Sequence, residues 1–533
     1  MFHLSSYFSV EYMLVLLPLS VGLYLILPQK LRRLSLLLCS WVFFWAVSGR
    51  LIVYLLLSIL LVYLFGLWLG KVQEEQEAAL AVCQKQEKKT VRGRYRARLR
   101  NVCILGVVLH IGILLAVKYT PFISDNLNVL LRVLHLPVKL TRPVFAAPVG
   151  ISFYTMQAAS YLLDVHRGKI RADRNLLRIA LYMSFFPQIM EGPICRYEDT
   201  AMRLWEAPRI RYDALTQGTQ RILWGLMKKT VVADRLNLLI ENVFSGYEAY
   251  DGCVIALAVV CYTVQLYMDF SGTMDVVIGT GQIFGIEMPE NFRRPFFSRT
   301  ISEFWARWHI TLGTWFRDYL FYPLSVSKPL KKLTSRARKR FGNHYGPLFA
   351  GGVALACVWL CNGLWHGAGW HYIVFGLYHF ALILTGSLLA PPAARIAEKL
   401  HIQRDHIPYR ILQTVRTFLL VCVGELIFRA LSLRQAAGML KKICMQFTLD
   451  TFRDGSLFAM GMDRQDYIIV LVALGIVFAA GFVQERGLQI RKHLAGRNLG
   501  VRLAAGYALI LFIVIFGAYG QGYLPVNPIY AGF

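Results

Sequence analysis

Three stretches of this 533-residue chain set polar or ionisable residues inside hydrophobic sequence, and each could do chemistry. The first, Val358 to His371, reads VWLCNGLWHGAGWH, with His366 between Trp365 and Gly367 at the end of a long apolar run. A neutral imidazole takes a proton from a hydroxyl near pH 7, which no unperturbed carboxylate or ammonium does efficiently. The glycines around it leave room for a substrate. The second, Asn291 to Pro323, reads NFRRPFFSRTISEFWARWHITLGTWFRDYLFYP and contains five Arg, three Trp and His309. Glu303 and Arg307 stand at i, i+4 with the acid N-terminal, an order that supports a helix. Trp308 and Trp315, one heptad apart, lie on roughly one face with His309 beside it. The third, Tyr262 to Asp275, reads YTVQLYMDFSGTMD. On a helix Tyr262, Gln265 and Asp269 make one polar stripe that runs into Ser271 and Gly272, where the backbone can bend or approach a ligand. Each stretch also has a plainer reading: a packed histidine, an aromatic belt at the membrane surface, or a polar helix-packing seam. Two histidines in polar, Trp-rich, Gly-interrupted segments favour chemistry.

The elements that must position these groups follow from composition. The chain is 56% hydrophobic and 17% charged, with a net charge of +27, which excludes a disordered chain and disfavours a soluble enzyme. Apolar runs reach the roughly 20 residues a helix needs to cross about 30 Å of hydrocarbon. Leu51 to Gly70, Tyr467 to Val483 and Leu503 to Gly522 show this most clearly. Further candidates are Tyr12–Leu27, Leu34–Ser48, Val102–Val117, Val144–Leu163, Leu177–Met190, Val254–Met268, Pro347–Leu360, Tyr372–Leu389 and Ile411–Phe428. The expectation is an all-α polytopic membrane protein with about twelve spans, plus interfacial or re-entrant helices at Asn291–Pro323. Met1 to Val10 has no Lys or Arg, so the first span is read as an anchor and not a cleaved signal.

Basic loops stay in the cytoplasm. Lys71 to Arg100 carries nine basic and four acidic residues, and Lys328 to Arg340 seven basic and none acidic. Placing both inside puts the N-terminus and the tail Gln521–Phe533 outside, although the basic stretch Lys118–Arg142 would then face out. The basic rim suits anionic lipid and attracts a phosphorylated donor. No base-stacking module accompanies it, so nucleic acid is not expected as a partner. Ten scattered cysteines without a CxxC pair suggest neither disulfides nor a metal site. The absence of a GxxxxGK[ST] loop leaves an ATP-driven pump unsupported.

The blocks PVGISFYTMQAASYLLDVHRG (Pro148–Gly168), FFPQIMEGPICRY (Phe185–Tyr197), QLYMDFSGTMD (Gln265–Asp275), Asn291–Leu324 and LWHGAGW (Leu364–Trp370) resemble the membrane-bound O-acyltransferase (MBOAT) family. Within it the chain is most similar to the bacterial alginate O-acetyltransferase branch. The blocks fall in order between about residues 148 and 380, and the flanks match only in hydropathy. The resemblance implies a ring of tilted helices around a funnel and a central passage. The implied organisation is N-terminal helices with a basic loop (1–100), a catalytic core (101–435) and C-terminal helices (436–533), integrated in one membrane domain. The implied activity moves an acyl group, expected to be acetyl, from a cytoplasmic thioester such as acetyl-CoA or an acyl carrier protein to an extracytoplasmic hydroxyl. No bound cofactor is implied. An extracytoplasmic serine-hydrolase-like partner is implied, in a bacterial plasma membrane. His366 corresponds to the residue at the family's reaction centre and His309 to a second tunnel histidine. The sequence departs from the pattern at SGT after Asp269, and at YHF (Tyr378–Phe380), where no role beyond packing is assigned to His379.

Acyl transfer needs a base, oxyanion stabilisation and alignment of two reactants. His366 is the expected base. Asn362, one turn earlier, is a candidate oxyanion donor, and Asp269, with Gln265 and Ser271, orients a histidine or the substrate. Trp365, Trp308 and Trp315 are candidate substrate contacts, and Arg307 and Arg317 candidate phosphate contacts. Two alternatives stand beside this reading: D-alanyl transfer toward teichoic acids, and a transporter or flippase with no covalent chemistry.

Overall fold

A computed structural model describes residue 4, residues 6–519 and residues 523 and 526, so most of the tail Gln521–Phe533 lies outside the described residues. Among the described residues the chain is helical, with no strand. Eight helical stretches are long and apolar enough to cross a membrane: Gln29–Val82, Lys88–Val133, Gly252–Ile283, Lys328–His366, Trp370–Lys399, Ile407–Arg429, Arg464–Glu485 and Leu499–Phe516. The first of these contains two helices, Gln29–Ser48 and Ile52–Val82, and a shorter apolar stretch, Glu11–Ile26, precedes it. The protein is an all-α polytopic membrane protein.

Two of the twelve expected spans take another form. Pro148 and Gly150 (φ 75°) hold back the start of the helix at Val144–Leu163, which runs over Ile151–His166 with nearly every residue buried. The run Leu177–Met190 makes only the nine-residue helix Leu176–Ser184, because the chain turns irregular at Phe185. Irregular backbone is tolerated among apolar residues only if its polar groups find partners. Here Ser40 Oγ accepts from Phe186 N–H at 3.0 Å, and the Tyr7 hydroxyl donates to Phe186 C=O (3.2 Å) and accepts from Met190 N–H (3.1 Å). The Tyr182 hydroxyl donates to Cys195 C=O at 2.9 Å. The block Phe185–Tyr197 is thus a buried, side-chain-braced loop.

The described residues divide into two compact units, one within 1–219 and 277–289, the other within 220–276 and 290–529. In the first, helices approach through small residues: a Cβ on Gly66 would lie 2.9 Å from the Tyr161 ring, and one on Gly106 2.9 Å from Leu162. The basic stretch Lys71–Arg100 is helical on both sides of a short turn, with Arg98 paired to Glu75. The second unit contains all three chemical stretches. Asn291–Pro323 is helical only in pieces too short to cross a membrane: Ile301–Arg307 has seven residues, and Ile310–Phe316 continues through the π-helix Arg317–Phe321 into the turn Tyr322–Ser325.

Candidate active site

The long helix Lys328–His366 ends at His366, and the chain returns in Trp370–Lys399 after the short turn Gly367–Gly369. The glycines of this motif are required by close approach. A Cβ on Gly367 would lie 2.2 Å from the Tyr372 ring, and one on Gly369 2.6 Å from the His371 ring. Further along, Gly363 meets the Tyr372 carbonyl and Gly376 the Trp359 carbonyl, where Cβ atoms would come within 2.4 and 2.3 Å. The two helices therefore cross backbone to backbone, which fixes where His366 stands.

His366 is 3% exposed. Its imidazole is walled by Phe375 (ring centroids 5.8 Å apart) and by Phe428 of the helix Ile407–Arg429 (5.1 Å). Trp365 touches both predicted histidines, 5.0 Å from the His366 ring and 5.4 Å from the His309 ring. Residues 57 positions apart in sequence, both singled out by type and context, thus meet one indole.

His309 sits at the start of Ile310–Phe316 in a left-handed conformation (φ 45°, ψ 52°), a strain of about 1–3 kcal/mol that the surroundings must hold. Asn291 holds it. The Asn291 side-chain oxygen accepts from Thr311 N–H (3.0 Å) and the Thr311 hydroxyl (2.9 Å), and lies 3.2 Å from His309 Nδ1. Because that oxygen is an acceptor, the proton of neutral His309 belongs on Nδ1 and the lone pair on Nε2. The Ile310 N–H donates to the Asn291 carbonyl at 3.0 Å, so Asn291 braces both the ring and its backbone. The edge of Phe270 completes the wall at 4.9 Å.

The other predicted residues divide. Asn362 is buried one turn before His366. Trp308 is buried behind His309, against Phe292 (5.0 Å), Phe304 (5.4 Å) and Tyr267 (6.0 Å). Trp315 packs on Phe316 and Tyr319. Arg307 is held by Glu303 and Glu485, both at 2.7 Å, whereas Arg317 lies at the surface beside Asp318. The polar stripe of Gly252–Ile283 meets the π-helix Lys228–Ala233 and the helix after it, and not the histidines. Gln265 donates to the Ala233 carbonyl (3.0 Å) and Asn237 (3.1 Å), Asp269 pairs with Lys229 (2.8 Å), and Ser271 accepts from Lys228 (2.9 Å). The packing-seam reading of that stretch describes this geometry. Phe270, next to Asp269, points to the other side of the helix and reaches His309.

Three residues at or near this site, Asn291, Trp305 and Glu425, escaped the sequence analysis, and His379 was assigned no role beyond packing. Asn291 had no signal beyond a polar residue opening an aromatic block. Trp305 donates to His379 Nδ1 at 3.2 Å, and the fully buried His379 ring lies 4.8 Å from Phe375, which also touches His366. Glu425, 2% exposed and on the same helical turn as Phe428, is an acid inside an apolar span, a signal the sequence did carry.

Residues 37–338 match the family described as MBOAT, membrane-bound O-acyltransferase; the match contains His309 and ends before His366. The chain belongs to this family, and is a multi-pass membrane acyltransferase. It is 34% identical over 435 residues to the "Probable alginate O-acetylase AlgI" of Pseudomonas aeruginosa, covering 81% of this chain and 73% of that one. It is 29% identical over 368 residues to the "Peptidoglycan O-acetyltransferase" of Helicobacter pylori (63% of each chain). Identity to the "Teichoic acid D-alanyltransferase" of Bacillus subtilis is 29% over 287 residues, 52% of this chain and 68% of that protein.

Proposed function

We propose that the protein transfers an acetyl group from a thioester donor, acetyl-CoA or an acyl carrier protein presented on the cytoplasmic side, to a hydroxyl of an extracytoplasmic polysaccharide or of a partner protein. The observation that carries this is the contact of both His366 and His309 with the indole of Trp365. In the proposed reaction the hydroxyl gives its proton to His366 as its oxygen attacks the thioester carbonyl. The tetrahedral intermediate collapses with a C–O bond formed and the C–S bond broken, and the imidazolium returns the proton to the thiolate. General base catalysis of this kind contributes typically 10² to 10⁴ in rate. His366 stands at the C-terminal end of its helix, where the positive charge it gains is favoured by about 0.3–1 kcal/mol. Asn362 is the proposed oxyanion donor, and His309, held by Asn291, orients donor or acceptor.

Acetyl is preferred over D-alanyl because the relatives matched over most of the chain are named for O-acetyl transfer, while the D-alanyl relative matches about half. An extracytoplasmic serine-hydrolase-like partner completes transfer to the polymer, and the bacterial plasma membrane is the proposed location, with the N-terminus outside. The test is thiol release from acetyl-CoA by the purified full-length protein in nanodiscs, with D-alanyl carrier protein run in parallel. His366-dependent release from acetyl-CoA supports the proposal. His366-independent release, or turnover of the D-alanyl donor alone, overturns it.

A further inference from the structure

The hairpin that carries His366 builds a second feature from its other end. Beyond the crossing at Gly363 and Gly376, Phe341, Tyr345, Phe349 and Val353 of the first helix line an open groove with Phe380 and Leu384 of the second. The groove has a volume of about 450 Å³, and its ten lining residues are all apolar or aromatic. From Phe341 to Ala356 it runs about 20 Å along the helix at 1.5 Å per residue. At its Phe341 end Gly342 (φ 78°) breaks the helix. The preceding segment folds back so far that a Cβ on Gly346 would lie 2.4 Å from Arg338 Cα.

That fold-back brings the basic segment Lys328–Arg340 to the end of the groove. Arg338, Lys339 and Arg340 are exposed there, and the Arg340 guanidinium lies 5.4 Å from the ring of Phe341, the first lining residue. The helix Lys328–His366 contains no Asp or Glu, so no neighbour along it offsets this charge.

We infer that the groove binds an anionic phospholipid, with one acyl chain along the apolar floor and the phosphate on Arg338, Lys339 and Arg340. In a bilayer an acyl chain fills such a groove because it restores the dispersion contacts an open slot lacks. The basic cluster selects the headgroup, on the order of fivefold in affinity for each Lys or Arg near the surface. A second copy of the chain is a poor occupant, since two bodies of charge +27 repel.

The full-length protein, delipidated in detergent, is titrated with phosphatidylglycerol or phosphatidylcholine, and bound lipid is counted by native mass spectrometry. The expected result is at least about tenfold tighter retention of phosphatidylglycerol at one site, weakening with salt. The surface variant R338Q/K339Q/R340Q should lose the preference while still binding either lipid weakly. Val353→Trp, which fills the exposed floor, should remove the site for both lipids. Equal retention of the two lipids, an unchanged preference in the triple variant, an unchanged lipid count in Val353→Trp, or a dimer in place of bound lipid would each overturn the inference. A size-exclusion profile matching the parent confirms that each variant is folded.

Discussion

Two buried polar regions of the second unit look alike in sequence and differ in build. Around the π-helix Lys228–Ala233, charge meets charge. Lys229 lies between Asp269 (2.8 Å) and Asp234 (2.9 Å), Lys228 joins Asp275 (2.5 Å), and Arg221 bridges Asp275 (2.9 Å) and Glu290 (2.5 Å). Gly225 and Gly272 let the backbones close around this network, since a Cβ on Gly225 would lie 2.5 Å from the Gly272 carbonyl. Around His366 and His309 the walls are mostly aromatic rings, and no carboxylate is paired with either imidazole in the contacts that build them. The lesson is that an ionisable residue in an apolar span marks a site only when its neighbours leave it chemistry to do. Where each charge is matched by its opposite, it is a strut between helices.

Substitutions test that contrast. His366→Ala should reduce acyl transfer by about 10² to 10⁴ while the protein inserts and melts as the parent does, because only the base is lost. Parent-like turnover in reconstituted vesicles would contradict the assignment of the aromatic-walled region. Lys229→Met should act in the opposite way: it strands Asp269 and Asp234 and costs about 3–5 kcal/mol in stability. Adding Asp269→Leu to it should restore part of that loss. If the single variant lowers turnover at unchanged thermal stability, the strut is part of the catalytic machinery and the contrast fails.

Asn291→Ala should have a smaller effect. Losing the bond that places the His309 proton on Nδ1 removes about 1 kcal/mol of orientation, or roughly fivefold in turnover, with a smaller change in KM. An effect as large as that of His366→Ala would make His309 the base. Arg317→Ala should change stability by less than about 1 kcal/mol, as expected for an exposed pair with Asp318. A raised KM for the thioester donor, measured in the same assay, would instead place Arg317 at the donor phosphates.

The hydrophobic runs determined the helices, because a chain in hydrocarbon has no other way to satisfy its backbone. Sequence also singled out both histidines, since an imidazole among apolar residues is conspicuous by type, but the glycines of LWHGAGW, expected to leave room for a substrate, instead make room for the Tyr372 and His371 rings. Helical spacing put Gln265 and Asp269 on one stripe, which was correct, yet periodicity says which residues share a face and not what that face meets. Only the fold decided that the stripe meets Lys228–Asn237 while Phe270, one residue along, touches His309. The same limit hid Asn291, whose value lies in an oxygen brought to a ring 18 residues away by the left-handed turn at His309. It also hid the contact of Trp365 with the His309 ring, 56 positions away in sequence. Local sequence states each residue's chemistry, and long-range packing alone chooses its partner.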